Sequence, residues 1–298
     1  MAELSSSQLL TLAYSPGCIF VCMRFRKGTV AQMGLGSLAG LLLASVADAH
    51  EPVFSVGPET IYQGGVGVEV GSNFETAGSK QEYGLDYELI YGVTSRIALT
   101  LEVPQGVRQE TDNGSESGVG DLVLRGKYRF WTRDRLNSSD KASLILGVKV
   151  PTGKHGGDAR LGSGSTDPLF GLSLGHESRT WYGFGTFRYL LRTNHDGVDL
   201  GDRIFYDFAV GFRPWRRGYL ETDFVFLLEY NGITTLRDRV GGSSLQTGGD
   251  IGWLGPTALI SYRNVMTKFG VQVPIYENLR GSQSRPDVRA VLSLEYHF

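Results

Sequence analysis

The side chains that most often carry chemistry are sparse in this sequence. The chain has five histidines, which are His50, His155, His176, His195 and His297. No two of them stand at the short spacing with which a helix presents paired ligands to zinc. His155, Asp158 and His195 could bind a metal only if two loops met, and solvated loop residues are the alternative interpretation. We therefore predict no metal and no cofactor.

Two glycine-containing segments match nucleotide-binding loops only in part. Thr-Gly-Lys at 152–154 lacks the upstream glycine and the following hydroxyl residue of a phosphate-binding loop, and Gly-Ser-Gly at 162–164 lacks the third glycine of a dinucleotide fingerprint. A hydrolase on a barrel would need a nucleophile and a histidine on adjacent strands near the lipid boundary. His176 and His297 fall at strand ends instead. The sequence therefore predicts a protein that is not an enzyme.

The composition also restricts the partners. With 29 basic and 31 acidic residues the net charge is −2, which gives no reason to expect nucleic acid as a partner. Glycine accounts for 41 of 298 residues and aromatic residues for 11%, a combination that argues against a disordered chain. Much glycine with many aromatic residues indicates strands and turns.

The first part of the sequence has the features of an export signal. Basic residues at 24–27 precede an uncharged, mostly apolar run at 29–46. The run ends in Ala-Asp-Ala, the small-x-small pattern that precedes a signal-peptidase cleavage site. We predict a Sec signal peptide within residues 1–49 that starts at Met23 after an N-terminal extension. A membrane anchor is the alternative, and the glycines of the apolar run disfavour it.

Both cysteines, Cys18 and Cys22, precede the predicted cleavage site. An exported chain that starts at His50 would therefore have no disulfide and no thiolate ligand.

Residues 50–298 alternate between apolar and polar side chains. In the segment 287–298 one face carries Val, Ala, Leu, Leu, Tyr and Phe, and the other carries Asp, Arg, Val, Ser, Glu and His. This period of two is typical of a strand with one apolar face. The twelve strands that we predict lie at 58–72, 82–92, 95–104, 119–131, 141–150, 166–176, 179–192, 202–214, 218–231, 249–261, 265–276 and 286–298.

The predicted connections alternate between short and long. The long, polar ones lie at 73–81, 105–118, 151–165, 193–201, 232–248 and 277–285. Short periplasmic turns and long outer loops are typical of bacterial outer-membrane barrels. We therefore predict that residues 50–298 form a single domain, an all-β transmembrane antiparallel up-and-down β-barrel of twelve strands, in the outer membrane of a Gram-negative bacterium.

Aromatic side chains on the apolar face lie near the strand ends, where rings favour the membrane–water boundary. Near the periplasmic ends we place Tyr62, Tyr91, Phe130, Trp181, Phe212, Tyr296 and Phe298, and near the outer ends Tyr83, Tyr189 and Tyr230.

If the apolar face meets lipid, the charged face lines the lumen. The candidates for lining it are Asp86, Glu88, Asp121, Arg125, Lys127, Arg129, Lys149, Arg188, Arg192, Glu221, Asp223, Glu229, Lys268, Arg289 and Glu295. Basic residues dominate the fourth and seventh predicted strands and acidic residues the ninth, so opposed charges could form a constriction. The alternative is that these charges pair with one another and fill the interior.

Three motifs resemble a known family. They are Gly-Val-Gly-Asp-Leu-Val-Leu-Arg-Gly-Lys-Tyr-Arg-Phe at 118–130, Lys-Val-Pro-Thr-Gly-Lys at 149–154 and Gly-Pro-Glu-Thr-Ile-Tyr-Gln-Gly-Gly at 57–65. Together with Leu-Gly-Ser-Gly-Ser-Thr-Asp at 161–167, these stretches resemble an outer-membrane transporter-like family named for the meta-cleavage pathway of phenol degradation. The resemblance implies an outer-membrane barrel that passes small or hydrophobic compounds, and it implies no catalytic residues.

These observations predict a channel for passive passage of small solutes, hydrophobic or aromatic ones among them, through a narrow charged lumen. The expected partners are outer-membrane lipid, a small-molecule solute, and the barrel-assembly machinery acting on the C-terminal strand that ends at Phe298. A filled structural or interaction barrel that acts through its outer loops is the alternative, and an outer-membrane hydrolase is a more distant one.

Overall fold

The computed structural model describes residues 51–111, 114–154, 161–215, 217–218 and 220–298. The predicted signal peptide, His50, His155 and Asp158 lie outside these residues. No helix in the described ranges is long and apolar enough to cross a bilayer.

The described chain is built from strands. They are β1 (Val66–Ala77), β2 (Lys80–Thr94), β3 (Ile97–Thr111), β4 (Gly114–Val119), β5 (Leu122–Arg135), β6 (Ser138–Val150), β7 (Asp167–Ser178), β8 (Trp181–Leu190), β9 (Val198–Asp199), β10 (Arg203–Phe212), β11 (Asp223–Thr235), β12 (Arg239–Val240), β13 (Ser243–Ser244), β14 (Gly249–Tyr262), β15 (Val265–Leu279) and β16 (Val288–His297). The short strands β9, β12 and β13 form a small separate sheet, and β4 folds back on the end of β3.

The twelve long strands close into a barrel. Each is antiparallel to its neighbours, and β1 pairs with both β2 and β16, so that Val70 faces Tyr87 on one side and Leu294 on the other. Closure gives every strand two neighbours, and this satisfies the backbone hydrogen-bonding groups that lipid cannot satisfy. The prediction of a closed twelve-stranded barrel is confirmed.

The strands continue further than predicted at the end where long loops were expected. The connection predicted at 73–81 is a two-residue turn, because β1 and β2 keep pairing as far as Ala77 opposite Lys80. Gly78 makes this turn with a φ of 63°. The connection predicted at 105–118 is mostly the hairpin of β3 and β4. Glycine and polar residues there indicated loops, but paired hairpins that extend past the membrane have the same composition.

The outer face of the barrel is apolar. Phe208 and Val210 on β10 are 59% and 62% exposed, whereas Ala209 between them is buried. Exposed aromatic residues stand at the strand ends as predicted, among them Tyr91, Trp181 and Phe212. A closed barrel with a continuous apolar belt is an outer-membrane protein, and in the usual orientation the start of β1 and the end of β16 lie at the periplasmic end.

Tyr62 is a correction to the predicted girdle. It lies before β1, outside the barrel strands, and its hydroxyl donates to the backbone carbonyl of Phe298.

Candidate functional site

The N-terminal segment of the described chain, residues 51–65, enters the barrel interior, and we call it the plug. Its last part was predicted as the beginning of the first strand, but β1 begins only at Val66. Pro58 has no N–H to give to a strand ladder, and Gly64 adopts a φ of 76°, which turns the chain inward. The Gly64 N–H donates to the Gly92 carbonyl (2.7 Å), which fixes the root of the plug at the periplasmic end.

Polar side chains of the barrel wall hold the plug backbone. The carboxylate of Glu229 accepts the N–H groups of Val53 (2.8 Å) and Phe54 (3.0 Å) on its two oxygens. Thr257 donates its hydroxyl to the same carboxylate at 2.6 Å. Glu229 is fully buried, so these donors satisfy a carboxylate that water cannot reach.

Hydroxyl groups bind the plug carbonyls further along. Ser173 and Thr186 both donate to the Val56 carbonyl, at 2.8 and 2.7 Å. Ser143 donates to the Pro58 carbonyl at 2.5 Å. Short hydroxyl side chains on inward positions of β6, β7 and β8 therefore replace the strand partners that the plug backbone lacks.

Ion pairs hold two carboxylates of the plug. Glu51 lies 2.5 Å from Lys127, and Glu59 lies 2.6 Å from Lys141 and 3.5 Å from Arg129. The predicted lumen residues Lys127 and Arg129 thus face the interior, where they contact the plug rather than an open channel.

Inward-facing glycines make room for the plug. A Cβ atom at Gly270 would lie 2.5 Å from a ring carbon of Phe54, and one at Gly175 would lie 2.6 Å from the ring of Pro58. The Phe54 ring also lies under the Arg289 guanidinium, 4.8 Å from its centre. Part of the high glycine content therefore provides space inside the barrel.

One side of the interior is apolar. Tyr182, Phe184, Ala209, Val225, Leu227 and Leu259 form a buried cluster on β8, β10, β11 and β14, and Val53 of the plug packs against it. The alternating pattern predicts polar residues on the inner face, and for this cluster that prediction is wrong. The signal for this cluster is the unbroken apolar run from Phe224 to Leu228, which is typical of a strand that is covered on both faces.

Most of the predicted lumen residues form ion pairs with residues on the adjacent strand or on the next strand but one. Arg125 lies 2.9 Å from Glu88, and Lys268 lies 2.8 Å from both Glu69 and Glu295. The other pairs that involve predicted residues are Lys149 with Asp167 and Asp121, Arg188 with Asp207, and Arg213 with Asp223. These cations of the barrel wall therefore lie next to carboxylates of the wall.

The remaining predicted residues differ in their surroundings. Asp86 accepts a hydrogen bond from Asn73, and Arg289 donates to Gln272. Arg192 follows β8, and its buried Nε atom has no hydrogen-bond partner in the part of the chain that the structure describes. Glu221 is a correction, because it is exposed in the connection between β10 and β11 and does not line the interior. The strand predicted from 218 begins only at Asp223, since the Gly218 N–H donates to the Glu221 carboxylate in a local turn.

Two cavities within the described part of the chain lie close to the predicted lumen residues. One of about 130 Å³ lies beside the plug, between Glu51, Arg125 and Lys268. A second of about 320 Å³, the mouth pocket, lies at the extracellular end between Asp121, Lys149, Arg192 and the chain at 161–163.

The motifs that could have carried other chemistry have structural roles. Thr152 donates its hydroxyl to the Gly120 carbonyl, and the Gly153 N–H donates to Asp121. These bonds tie the loop after β6 to the start of β5. Within the described residues, no group of three or more His, Cys, Asp or Glu could hold a metal ion. The hypothetical site with His155 and Asp158 lies outside them.

Comparisons with known proteins agree with the barrel. A family model described as "Putative MetA-pathway of phenol degradation" matches residues 49–275. A search of curated sequences gave no match. An outer-membrane channel from Pseudomonas putida F1 is 15% identical with a TM-score of 0.68, over 84% of this chain and 100% of that chain, which shows a shared fold. The toluene transporter TbuX of Ralstonia pickettii is 13% identical with a TM-score of 0.32, over 80% and 90% of the two chains.

Proposed function

We propose, from the premise that the chain belongs to the family described as the putative MetA pathway of phenol degradation, that this protein is an outer-membrane channel for passive passage of small solutes. In this proposal the plug closes the channel in the state that the structure represents. The family description supports aromatic compounds as one class of solute.

The observation that carries the proposal is the way the plug is attached. Its contacts with the wall are side-chain hydrogen bonds, ion pairs and packing, and its backbone pairs with the barrel only at its root, through Gly64, Gly65 and Gly92. The plug can therefore leave the interior while the strand ladder stays intact. Twelve strands enclose more space than the eight of a barrel filled by its own side chains, so a path can open when the plug leaves.

The path would be amphipathic. Departure of the plug would expose the apolar cluster around Leu227 on one side and the hydroxyl groups of Ser143, Ser173 and Thr186 nearby. A small molecule with an aromatic ring and one polar group could contact both kinds of surface.

A permanently filled barrel that acts through its loops is the second candidate. The paired charges and the occupied interior favour it, because both also suit a purely structural plug.

A disulfide that locks the plug separates the two candidates. The Pro58→Cys/Gly175→Cys variant places two thiols at positions whose side chains would be in contact. The predicted mature chain has no other cysteine, so cross-linking would be specific.

Conductance would be recorded in planar bilayers before and after reduction, with each single-cysteine variant as the control. We expect openings from the wild type, their loss in the oxidised variant and their return on reduction. Openings that persist in the cross-linked variant would show that the plug is not the gate. Silence of every folded variant toward all solutes would favour the filled barrel.

A further inference from the structure

The mouth pocket is lined by both apolar and charged side chains. Apolar surface comes from Pro104, Val123, Leu161 and Leu200. Charge comes from Arg192 and from Lys149 with Asp121, which form an ion pair with each other. Its volume of about 320 Å³ lies at the lower end of the range for small-molecule sites, roughly 300–1,000 Å³. The pocket faces the outside of the cell, where a solute would first meet the barrel.

Arg192 is a cation of this pocket that forms no ion pair within the described part of the chain, although several carboxylates lie further away. Its Nε atom is buried and has no hydrogen-bond partner, and no carboxylate of the described chain forms an ion pair with its guanidinium. Burial lowers the pKa of the Arg192 guanidinium, and the carboxylates around it offset this only in part. An arginine stays protonated in a protein, so burial of this charged group lowers the stability of the folded state.

The acids near Arg192 already have other donors. Asp167 is 2.7 Å from Lys149 and accepts the Thr193 N–H at 3.0 Å. Asp202 accepts the backbone N–H of Arg192 itself at 2.8 Å. These bonds hold the carboxylates in place and leave the guanidinium for a further anion.

A second arginine adds to the positive charge. Arg203 begins β10, and its Nε atom is also buried with no hydrogen-bond partner among the described residues. The charges of Arg192 and Arg203 repel each other. A carboxylate is the group that would relieve both the missing hydrogen bond and this repulsion, because it matches the planar donors of arginine.

We propose that the mouth pocket binds a small carboxylate with an apolar body, such as an aromatic acid, with the carboxylate on Arg192 and the body against Leu161 and Leu200. This inference rests on the proposed channel function and names the class of solute that the channel would capture first.

Binding would be measured by calorimetry on the folded protein in detergent at low salt, with benzoate and its neutral analogue benzamide as probes. We expect benzoate to bind at least about tenfold more tightly than benzamide, since only benzoate offers a carboxylate that forms charge-assisted hydrogen bonds with a guanidinium. Arg192→Gln should remove this preference, and Arg192→Lys should retain part of it. Arg239→Gln is the matched control, because Arg239 is an exposed arginine of the short strand β12 at the same end of the barrel.

Equal affinities for benzoate and benzamide in the wild type would overturn the proposal, as would an unchanged benzoate affinity in a folded Arg192→Gln variant. The assay does not depend on conductance. If the protein binds benzoate but never conducts, the proposed channel function is refuted and the proposed binding site is not. If the protein conducts but binds benzoate and benzamide equally, only the proposed binding site is refuted.

Discussion

Replacement of Glu229 by glutamine tests whether the plug is held by the contacts that the structure shows. The carboxylate accepts two backbone N–H groups of the plug, from Val53 and Phe54. Each such bond to a charged acceptor contributes about 1.5–3 kcal/mol. A glutamine keeps one neutral acceptor, which contributes about 1 kcal/mol. The net loss in plug binding is therefore about 2–5 kcal/mol.

This loss converts into a large shift of the plug equilibrium. At about 1.4 kcal/mol for each factor of ten, the open fraction should rise by roughly 30-fold to a few thousand-fold, up to saturation. The barrel itself should stay folded, because the substitution neutralises a buried charge and leaves the strand ladder unchanged.

Two assays can measure the increase in the open fraction. A Ser55→Cys reporter in the plug should react with a maleimide faster in Glu229→Gln than in the wild type, and single-channel recording should show a higher open probability. Glu221→Gln is the matched control, since Glu221 is exposed and lies away from the plug. Labelling rates and open probabilities that agree among all three proteins would refute the assignment of Glu229 as the plug anchor.

Three further substitutions test packing, charge pairing and the lipid face. Gly270→Leu should expel the phenyl ring of the plug and raise the open probability, whereas Gly183→Leu, where an added Cβ meets open space, should not; equal conductance would contradict this. Lys268→Met removes the lysine that pairs with the carboxylates of Glu69 and Glu295, and it should lower the free energy of unfolding by about 3–5 kcal/mol. An unchanged urea midpoint of unfolding in detergent would disprove this. Phe208→Lys on the outer face should destabilise the barrel by about 2–4 kcal/mol in lipid bilayers, and the idea of a lipid-facing belt fails if unfolding is unaffected.

The strands could be predicted from the sequence because each barrel strand carries its own pattern. The segment predicted at 286–298 is β16, Val288–His297, and its alternation follows from lipid on one side and the interior on the other. Strand ends were less predictable, because Ala77 and Lys80 pair in a hairpin whose residue types also suit a loop.

The interior charges show what a local pattern can and cannot reveal. The alternation of polar and apolar residues correctly predicts that Arg125 and Lys268 point inward. Their ion-pair partners depend on the register of the strands, which cannot be derived from the alternation. These partners are Glu88 for Arg125, and Glu69 and Glu295 for Lys268. Without the register, paired charges and an open charged channel have the same sequence pattern. Strand pairing decides between them in favour of local pairs.

The plug could not be predicted, because no local pattern encodes it. Its contacts join residues that are far apart in the chain: the residue numbers of Pro58 and Ser143 differ by 85, and those of Val53 and Glu229 differ by 176. The residues from Thr60 to Tyr62 are of types that are common in strands, and they therefore predict a strand where the structure has the plug.

The positions of the plug contacts imply an order of assembly. The groups that hold the plug come from β2, β5, β6, β7, β8 and β11, and Tyr62 donates to the carbonyl of Phe298 after β16. These groups surround one space only when the barrel is closed, and the Phe298 N–H itself pairs with the Val66 carbonyl across the closing seam (2.8 Å). The plug site therefore forms after β1 and β16 have joined.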